Sequence, residues 1–391
     1  MKKTKFRVFR GKKAKINKVA QPDAILFNVI LVLLCFGLVM CFSASAPSAN
    51  QVMGDSYYYF RKQLTVAIIG FVGMLIAMNY DYHKLAKKLP LFLGGTILLL
   101  IVVLFFPEQN GGKRWISIGF SFQPSELAKF TVILLFACKL SVQKWHKPKD
   151  SRTFGRYFLK DFGPYMAFLV MFAFLLMLEP HFSCTLLIFL VGMVMLYVAG
   201  IHCGYLTTIA APVLAAVVWL VSFGYRSDRI TSWLDPFANP RGDGWQIIQS
   251  LFAIGSGGMF GLGLGQSRQK FLWLPEPYND FIFAVLCEEL GFIGAAAVIV
   301  LFAVLIWRGI VVAQKAPDLL GTLLAVGITA LMALQVLINI AVVTKTIPVT
   351  GMPLPFFSSG GTALIFTLAE MGVLLNISRQ GKAAAGEGAE E

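Results

Sequence analysis

The chain has 391 residues, of which 57% are hydrophobic and 14% are charged, and its mean hydropathy is +0.72. This composition excludes an ordinary water-soluble domain and is typical of a protein with several membrane-spanning helices. The net charge of +14 would suit a nucleic-acid partner, but nine of the first eighteen residues are Lys or Arg and an apolar run follows at once, which is the pattern of a cytoplasmic anchor.

The apolar runs predict an all-α polytopic membrane protein with about ten transmembrane helices. Crossing roughly 30 Å of hydrocarbon takes about 20 apolar residues. Lys and Arg concentrate after every second run, so these loops and both termini share the cytoplasmic side. The predicted spans lie near 25–44, 62–79, 88–106, 125–143, 162–178, 182–199, 205–224, 280–307, 319–343 and 360–377.

Three segments follow from this pattern. Residues 1–20 form a basic cytoplasmic arm, residues 21–380 form a single membrane domain, and the polar residues 381–391 form a disordered cytoplasmic tail. The first apolar run is longer than the 7–15 residues of a signal peptide, so we expect no cleavage after it. Scattered Cys and His residues without CxxC spacing favour neither disulfides nor a metal site.

The alternation assigns segment 225–279 to the outer side, as a large extracytoplasmic loop between the seventh and eighth helices. It is far longer than an ordinary connection and has a helix-like run at 244–254, so we expect interfacial or re-entrant helices. Glycines at 255–265 are as dense as in a phosphate-binding loop, but close helix packing or a flexible turn explains them equally well. Its cations favour an anionic ligand such as a diphosphate, and they include Arg229, Arg241, Arg268 and Lys270.

The start of the fourth span combines polar and charged residues. Arg114 precedes it on the outer side, where an anionic ligand and lipid headgroups are alternative partners. Ser125 and Glu126 follow a proline, so helix capping explains them as well as substrate binding does. Lys129 lies one turn inside the span, where either an ion pair with Glu126 or an anionic ligand would neutralise it.

Four carboxylates lie beside and inside the eighth span. Asp280 begins the span after Glu276, and partial shielding from water would raise its pKa and suit it to act as a general base. A helix N-cap is the equally weighted alternative. Glu288 and Glu289 lie two to three turns deeper, where they need a cavity or a cationic partner, and we favour structural pairing over an ion pathway. The proline-rich loop 344–361, which carries Ser358, is either a substrate wall or a stiff connector.

Four stretches in this order resemble the SEDS family (shape, elongation, division and sporulation), and its FtsW and SpoVE branch more than RodA. They are KRWISIGFSFQPSELAKF, RITSWLDPFANPRGDGWQIIQSLFAIGSGG, GLGLGQSRQKFLWLPEPYNDFIFAVLCEELG and IPVTGMPLPFFSSGG. The resemblance implies a ten-helix enzyme that polymerises lipid II into peptidoglycan strands at the outer face of the bacterial cytoplasmic membrane. It also implies a class B penicillin-binding protein as transpeptidase partner, with other division proteins and membrane lipid nearby.

The resemblance assigns roles to individual residues. The family's essential acid matches Asp280, although this chain has Tyr278-Asn279-Asp280 where most members have His-Thr-Asp. In two places the chain differs from the family's motifs: it reads Glu-Pro-His-Phe-Ser-Cys-Thr at 179–185 and Ser-Ser-Gly-Gly at 358–361. The first difference puts a catalytic role for position 181 in question. Of the expected substrate-binding residues, Arg114, Ser125, Glu126 and Lys129 match family motifs. The others, Arg229, Lys270, Glu276 and Ser358, are expected from their own charge and position in the outer segments.

The expected mechanism uses Asp280 as general base and the cations to stabilise an undecaprenyl diphosphate leaving group. No cofactor is required, although a divalent cation is compatible with the chemistry. A lipid-linked precursor flippase is the main alternative, because it too needs an outer cavity, buried charges and cations. A non-enzymatic division scaffold is the third hypothesis, and it leaves Asp280 and Lys129 unexplained.

Overall fold

The computed structural model describes residues 20–108, 112–118, 120–145, 155–209, 225–242, 244–271 and 273–387. In this part of the chain the structure is a bundle of helices with one short β-hairpin. Six of its helices are long and apolar enough to cross a membrane. The chain is therefore a multi-pass membrane protein, as its composition predicts.

The helices and strands occur in the following order. In the N-terminal half they are α1 (Ala24–Met53), α2 (Tyr58–Asn79), α3 (Tyr82–Lys87), α4 (Leu89–Val102), β1 (Ile116–Ile118), β2 (Phe120–Phe122) and α5 (Pro124–Leu140). In the C-terminal half they are α6 (Gly163–Leu178), α7 (Phe182–Val198), α8 (Tyr225–Leu234), α9 (Trp245–Ser256), α10 (Ile282–Gln314), α11 (Leu319–Val343) and α12 (Gly361–Glu387).

Nine of the ten predicted spans coincide with helices in the described residues. The seventh predicted span, 205–224, lies mostly outside them, so the count of ten stays a prediction. The β-hairpin is a feature that the sequence analysis missed. Its strands are antiparallel, with Ile116 opposite Phe122 and Ile118 opposite Phe120. These apolar residues alternate with serines, which is a strand pattern too short to stand out among long helical runs.

Helix α11 lies at the centre of the bundle, where it packs against α5, α7 and α10. Helix α2 packs along α12, and α1 packs against both α2 and α10. The described part of α12 extends to Glu387, so residues 381–387, which the sequence predicted to be a disordered tail, are helical. Gly381 packs closely against the Lys315 backbone and the Lys382 ammonium donates to the Pro22 carbonyl at 3.0 Å, which holds this last segment in place.

The glycine-rich segment after α9 packs closely against α10. A Cβ atom on Gly257 would collide with the Cys287 carbonyl oxygen, and one on Gly261 would collide with that of Glu289. The backbone of Gly263 donates to the Glu289 carbonyl at 2.9 Å. Helix α10 bends at Gly291, whose φ of 67° favours glycine. The predicted helix at 244–254 and the close-packing interpretation of the glycines are therefore confirmed.

The loops that charge alternation assigned to the outer side meet at one end of the bundle. Arg114 donates to the Pro180 carbonyl at 2.6 Å, and Ser183 donates to that of Thr350 at 2.5 Å. Ser358 donates to the Asn279 carbonyl at 2.7 Å, which joins the last outer loop to the start of α10. The predicted grouping of these loops is confirmed, and we call this the outer end.

The opposite end has its own polar contacts. Arg308 pairs with Asp23, the N-cap of α1. The His83 ring contacts the Asp318 carboxylate at 2.6 Å, which joins α3 to the start of α11. Arg379 donates to the Ala20 carbonyl at 3.0 Å. These contacts hold together the segments that the positive-inside rule assigned to the cytoplasmic side.

Candidate active site

Asp280 lies at the outer end, immediately before α10. The N-cap position of α10 is Phe281, and no side chain caps this helix, so the helix-cap interpretation of Asp280 is wrong. Asn339 of α11 donates to the backbone carbonyls of Asp280 at 2.8 Å and of Met352 at 2.7 Å. The backbone is therefore held by α11, while the carboxylate accepts no hydrogen bond from any described residue.

The environment of Asp280 makes its carboxyl group more basic than usual. Burial and, to a smaller extent, the nearby Glu276 carboxylate raise the pKa of Asp280 to about 6, against the opposing effect of Arg229 and Arg114. The group is thus mostly ionised at neutral pH and still a better proton acceptor than an ordinary aspartate. A pKa close to the working pH is what general base catalysis requires.

A network from the last outer loop fixes the segment before Asp280. The Ser358 hydroxyl donates to the Asn279 carbonyl and accepts from the Leu354 backbone, both at 2.7 Å. The Tyr278 ring stacks on Tyr59 with 4.9 Å between centroids. Ser358 is buried and holds the segment that presents Asp280, while its substrate-binding role stays a prediction.

Two arginines lie near Asp280, one in the loop before β1 and one in α8. Arg114 donates to the carbonyls of Glu179 and Pro180, at 3.3 Å and 2.6 Å. Arg229 donates to the Val349 carbonyl at 3.1 Å. Both guanidinium groups lower the pKa of Asp280, so their positive charges act at its carboxylate. A ligand at Asp280 would therefore meet positive charge from two directions.

Lys129 and Glu126 form a buried ion pair at the start of α5. The ammonium and carboxylate are 2.7 Å apart, one turn from each other on the helix. The ion-pair interpretation of Lys129 is confirmed. Pro124 is the first residue of α5, but the buried Ser125 hydroxyl has no hydrogen-bond partner among the described residues, so Ser125 does not cap the helix.

Lys270 precedes α10 in the chain and belongs to a separate buried network that joins it to Glu289 of α10. Its ammonium donates to the Glu289 carboxylate at 2.7 Å and to the Ser43 hydroxyl at 3.1 Å. Glu288 accepts from the Ser267 hydroxyl at 2.5 Å and from the Arg268 backbone at 2.9 Å. Structural pairing of the two glutamates is confirmed. Glu289 follows Asp280 by nine residues, which is more than two helical turns. A substrate-binding role for its partner Lys270 stays a prediction.

Glu276 is exposed at the edge of the site, and its carboxylate accepts from the Asn279 amide at 2.5 Å. Sequence reasoning gave no role to Asn339 or to Glu370, a buried acid in α12. The sequence does mark both positions as unusual, because each is a polar residue inside an apolar run. No three His, Cys, Asp or Glu side chains in the described ranges are arranged to hold a metal ion.

Comparison with known proteins identifies the family. The family model for FtsW, RodA and SpoVE, described as a cell cycle protein, matches residues 23–383. The chain belongs to the FtsW/RodA/SpoVE family. Stage V sporulation protein E of Bacillus subtilis (strain 168) is 45% identical over 368 residues, which cover 93% of this chain and 98% of that protein. The resemblance noted in the sequence is thus confirmed.

Other members of the FtsW/RodA/SpoVE family support the same placement. The probable peptidoglycan glycosyltransferase FtsW of Geobacter sp. (strain M18) is 41% identical over 95% of this chain and 100% of that protein. One solved structure is described as "Structural coordination of polymerization and crosslinking by a peptidoglycan synthase complex". A chain in it matches this protein with a TM-score of 0.74 and 26% identity, and the match covers 92% of this chain and 98% of that one. Thermus thermophilus RodA has a TM-score of 0.64 and 25% identity, covering 92% and 97%.

Proposed function

We propose that this protein is a peptidoglycan glycosyltransferase that polymerises lipid II at the outer face of the bacterial cytoplasmic membrane. The observation that carries the proposal is the Asp280 carboxylate, which has a raised pKa, no hydrogen bond from the described residues and two arginines nearby. The names of its FtsW relatives and its likeness to a chain of a peptidoglycan synthase complex supply the reaction class.

In the proposed reaction Asp280 removes the proton from the 4-hydroxyl of the acceptor sugar. The oxygen of that hydroxyl forms a bond to the anomeric carbon of the donor, and the bond from this carbon to the diphosphate oxygen breaks. Undecaprenyl diphosphate leaves with the electron pair. A single displacement of this kind inverts the configuration at the anomeric carbon.

Arg114 and Arg229 are the cations best placed to stabilise the charge that develops on the diphosphate. Fixed positive groups aimed at developing charge often give the largest contribution to catalysis. Lys129 would act through its ion pair with Glu126, and the exposed Glu276 would contact the acceptor sugar. A divalent cation is compatible with this reaction.

The proposal includes a cellular setting. Both termini would lie in the cytoplasm, the outer end would face the extracytoplasmic side, and a class B penicillin-binding protein would crosslink the strands that this chain makes. Other division proteins would hold the pair at the septum. The basic loops and the likeness to a chain of a synthase complex support this arrangement.

Reconstitution in liposomes tests the function directly. We expect the purified protein, with its class B partner, to convert lipid II in the outer-facing leaflet into long glycan strands. The same liposomes are assayed for movement of fluorescent lipid II between leaflets. Movement without strands would favour the flippase, and neither activity, with binding of the partner intact, would favour the scaffold.

A further inference from the structure

Several buried polar atoms at the outer end have no hydrogen-bond partner among the described residues. They are both carboxylate oxygens of Glu179, the Ser125 hydroxyl, Nδ1 of His181 and the Thr350 hydroxyl. We call these four residues the Glu179 cluster. Glu179 and Ser125 are fully buried, whereas His181 and Thr350 are partly exposed. The unpartnered atoms themselves are buried in all four residues.

Short contacts link the chain segments that carry the cluster to one another and to Asp280. The Cys184 thiol approaches the Ser125 carbonyl at 3.9 Å, and the neighbouring Ser183 donates to the Thr350 carbonyl at 2.5 Å. Gly351 follows Thr350, and a Cβ atom on Gly351 would lie 3.3 Å from the Asp280 carboxylate. The backbone next to Thr350 thus lies beside the carboxylate of the proposed general base.

Such a concentration of unpaired groups needs an explanation. Nearly all buried polar atoms in native proteins have a partner, because leaving one unpaired costs free energy. None of the four side chains is needed as a helix cap, since neither α5 nor α7 has a side-chain cap. The cluster is therefore incomplete without water or a ligand.

The charges of the cluster indicate which kind of ligand it fits. Burial raises the pKa of Glu179 to about 8, although Arg114 opposes the rise. Burial, Arg114 and Lys129 lower the pKa of His181 to about 3. At neutral pH the carboxyl group is therefore mostly protonated and the imidazole is neutral. The cluster offers both donors and acceptors without a net charge, which suits an uncharged polar group better than a phosphate.

We propose that the Glu179 cluster binds an uncharged hydroxyl or acetamido group of the sugar held at Asp280. The inference rests on the proposed function, because that function supplies a saccharide substrate. It gives Glu179 and His181 a role in recognising the amino sugar. The chain then holds the diphosphate with arginines and the sugar with this neutral cluster.

Binding measurements with two lipids test the proposal. The Asp280→Asn variant prevents turnover, and in this background the affinities for lipid II and for its de-N-acetylated analogue are compared. We expect this protein to prefer lipid II about tenfold, the contribution of one or two hydrogen bonds. Adding Glu179→Met, which is similar in length and cannot donate or accept as a carboxyl does, should remove the preference. Glu179→Gln should restore most of it.

Thermal unfolding separates recognition from a structural role. Because Glu179 is buried without a partner, Glu179→Met should leave the unfolding temperature unchanged or raise it. Glu108→Met, at an exposed carboxylate, is the control and should change neither affinity nor preference. A lower unfolding temperature with an unchanged preference would show that the cluster binds structural water, and would overturn the inference.

The two proposals fail differently. If the unsubstituted protein makes strands but Asp280→Asn binds both lipids equally, this inference fails and the proposed function stands. If the preference disappears with Glu179→Met but the unsubstituted protein makes no strands, the sugar site stands and the polymerase function fails.

Discussion

Asp280 combines two properties that usually oppose each other in a carboxylate. It is buried enough for its pKa to rise to about 6, yet Arg229 and Arg114 keep most molecules ionised at neutral pH. Glu276 contributes to the raised pKa through like-charge repulsion. This balance gives a direct expectation for the pH dependence of the reaction.

The rate of polymerisation at low lipid II concentration should fall as the pH drops below about 6, because Asp280 becomes protonated. Glu276→Gln removes a negative charge that raises the pKa of Asp280, so the pH at which the rate falls should move to a lower value. The measurement is kcat/KM from pH 4.5 to 8.5. Glu108→Gln, at an exposed carboxylate, is the control, and an identical shift in that variant would contradict the assignment.

Part of the site could be predicted from single residues. Asp280 stands out because an acid begins an apolar span, and Lys129 and Glu126 because a charged pair lies one turn apart. The raised pKa depends on residues that are distant in sequence, such as Arg114 and Arg229. The Glu179 cluster depends on the lack of partners, which only the folded chain reveals.

At the scale of elements, α9 and the glycines after it fix how the outer loop sits on α10. Gly257 has its Cα facing the Cys287 carbonyl, whereas Gly255, within α9, faces open space. The two positions form a matched pair. Their comparison tests whether close approach of the backbones, and not flexibility, explains the glycine-rich segment.

Gly257→Ala should lower the free energy of unfolding by about 1–3 kcal/mol, because the new methyl group overlaps α10 and the segment has to move. Gly255→Ala should be neutral or stabilising by about 0.5–1 kcal/mol, since alanine is favoured over glycine in a helix. Thermal or denaturant unfolding in detergent measures both. Equal effects of the two substitutions would contradict the close-packing account.

The Lys270–Glu289 ion pair ties the outer loop to α10 and can be tested with a double-mutant cycle. Lys270→Met alone should destabilise the protein by about 3–5 kcal/mol, because it leaves a buried charge unpaired. Combining it with Glu289→Gln should recover much of the loss. If the double variant recovers stability but not polymerisation, Lys270 binds substrate as the sequence predicted, and recovery of both would show a structural role.

Elements were predictable where they form long apolar runs. The helices α1, α2, α10, α11 and α12 all follow from hydropathy. The antiparallel pair of strands β1 and β2 did not, since each strand is only three residues long. The helical continuation to Glu387 did not either, because it depends on contacts with Pro22 and Lys315.

The whole molecule has two polar ends with different tasks. Arginine and histidine contacts join the start of α1, the last helix and short loops at one end, while the other end brings together Asp280, two arginines and the Glu179 cluster. Charge alternation along the sequence predicted this division, because each crossing of the membrane reverses the side. It did not predict which groups would be neighbours within the outer end, because that depends on how α5, α7, α10 and α11 pack.

Asp280→Asn measures the central claim most directly, with Asp235→Asn as a control at an exposed aspartate of the same outer loop. We expect Asp235→Asn to polymerise lipid II normally and Asp280→Asn to make no strands. The Asp280 carboxyl has a folded-state pKa above its usual 3.8, so its ionisation costs stability as the pH rises through about 6. Asp280→Asn should therefore unfold at a higher temperature than the unsubstituted protein at pH 7.5, and this gain should vanish below about pH 4.

An inactive and more stable Asp280→Asn protein would show that the chain keeps a costly carboxylate for catalysis. Strand formation by Asp280→Asn at a rate close to that of the Asp235→Asn control would contradict the assignment of Asp280 as the general base.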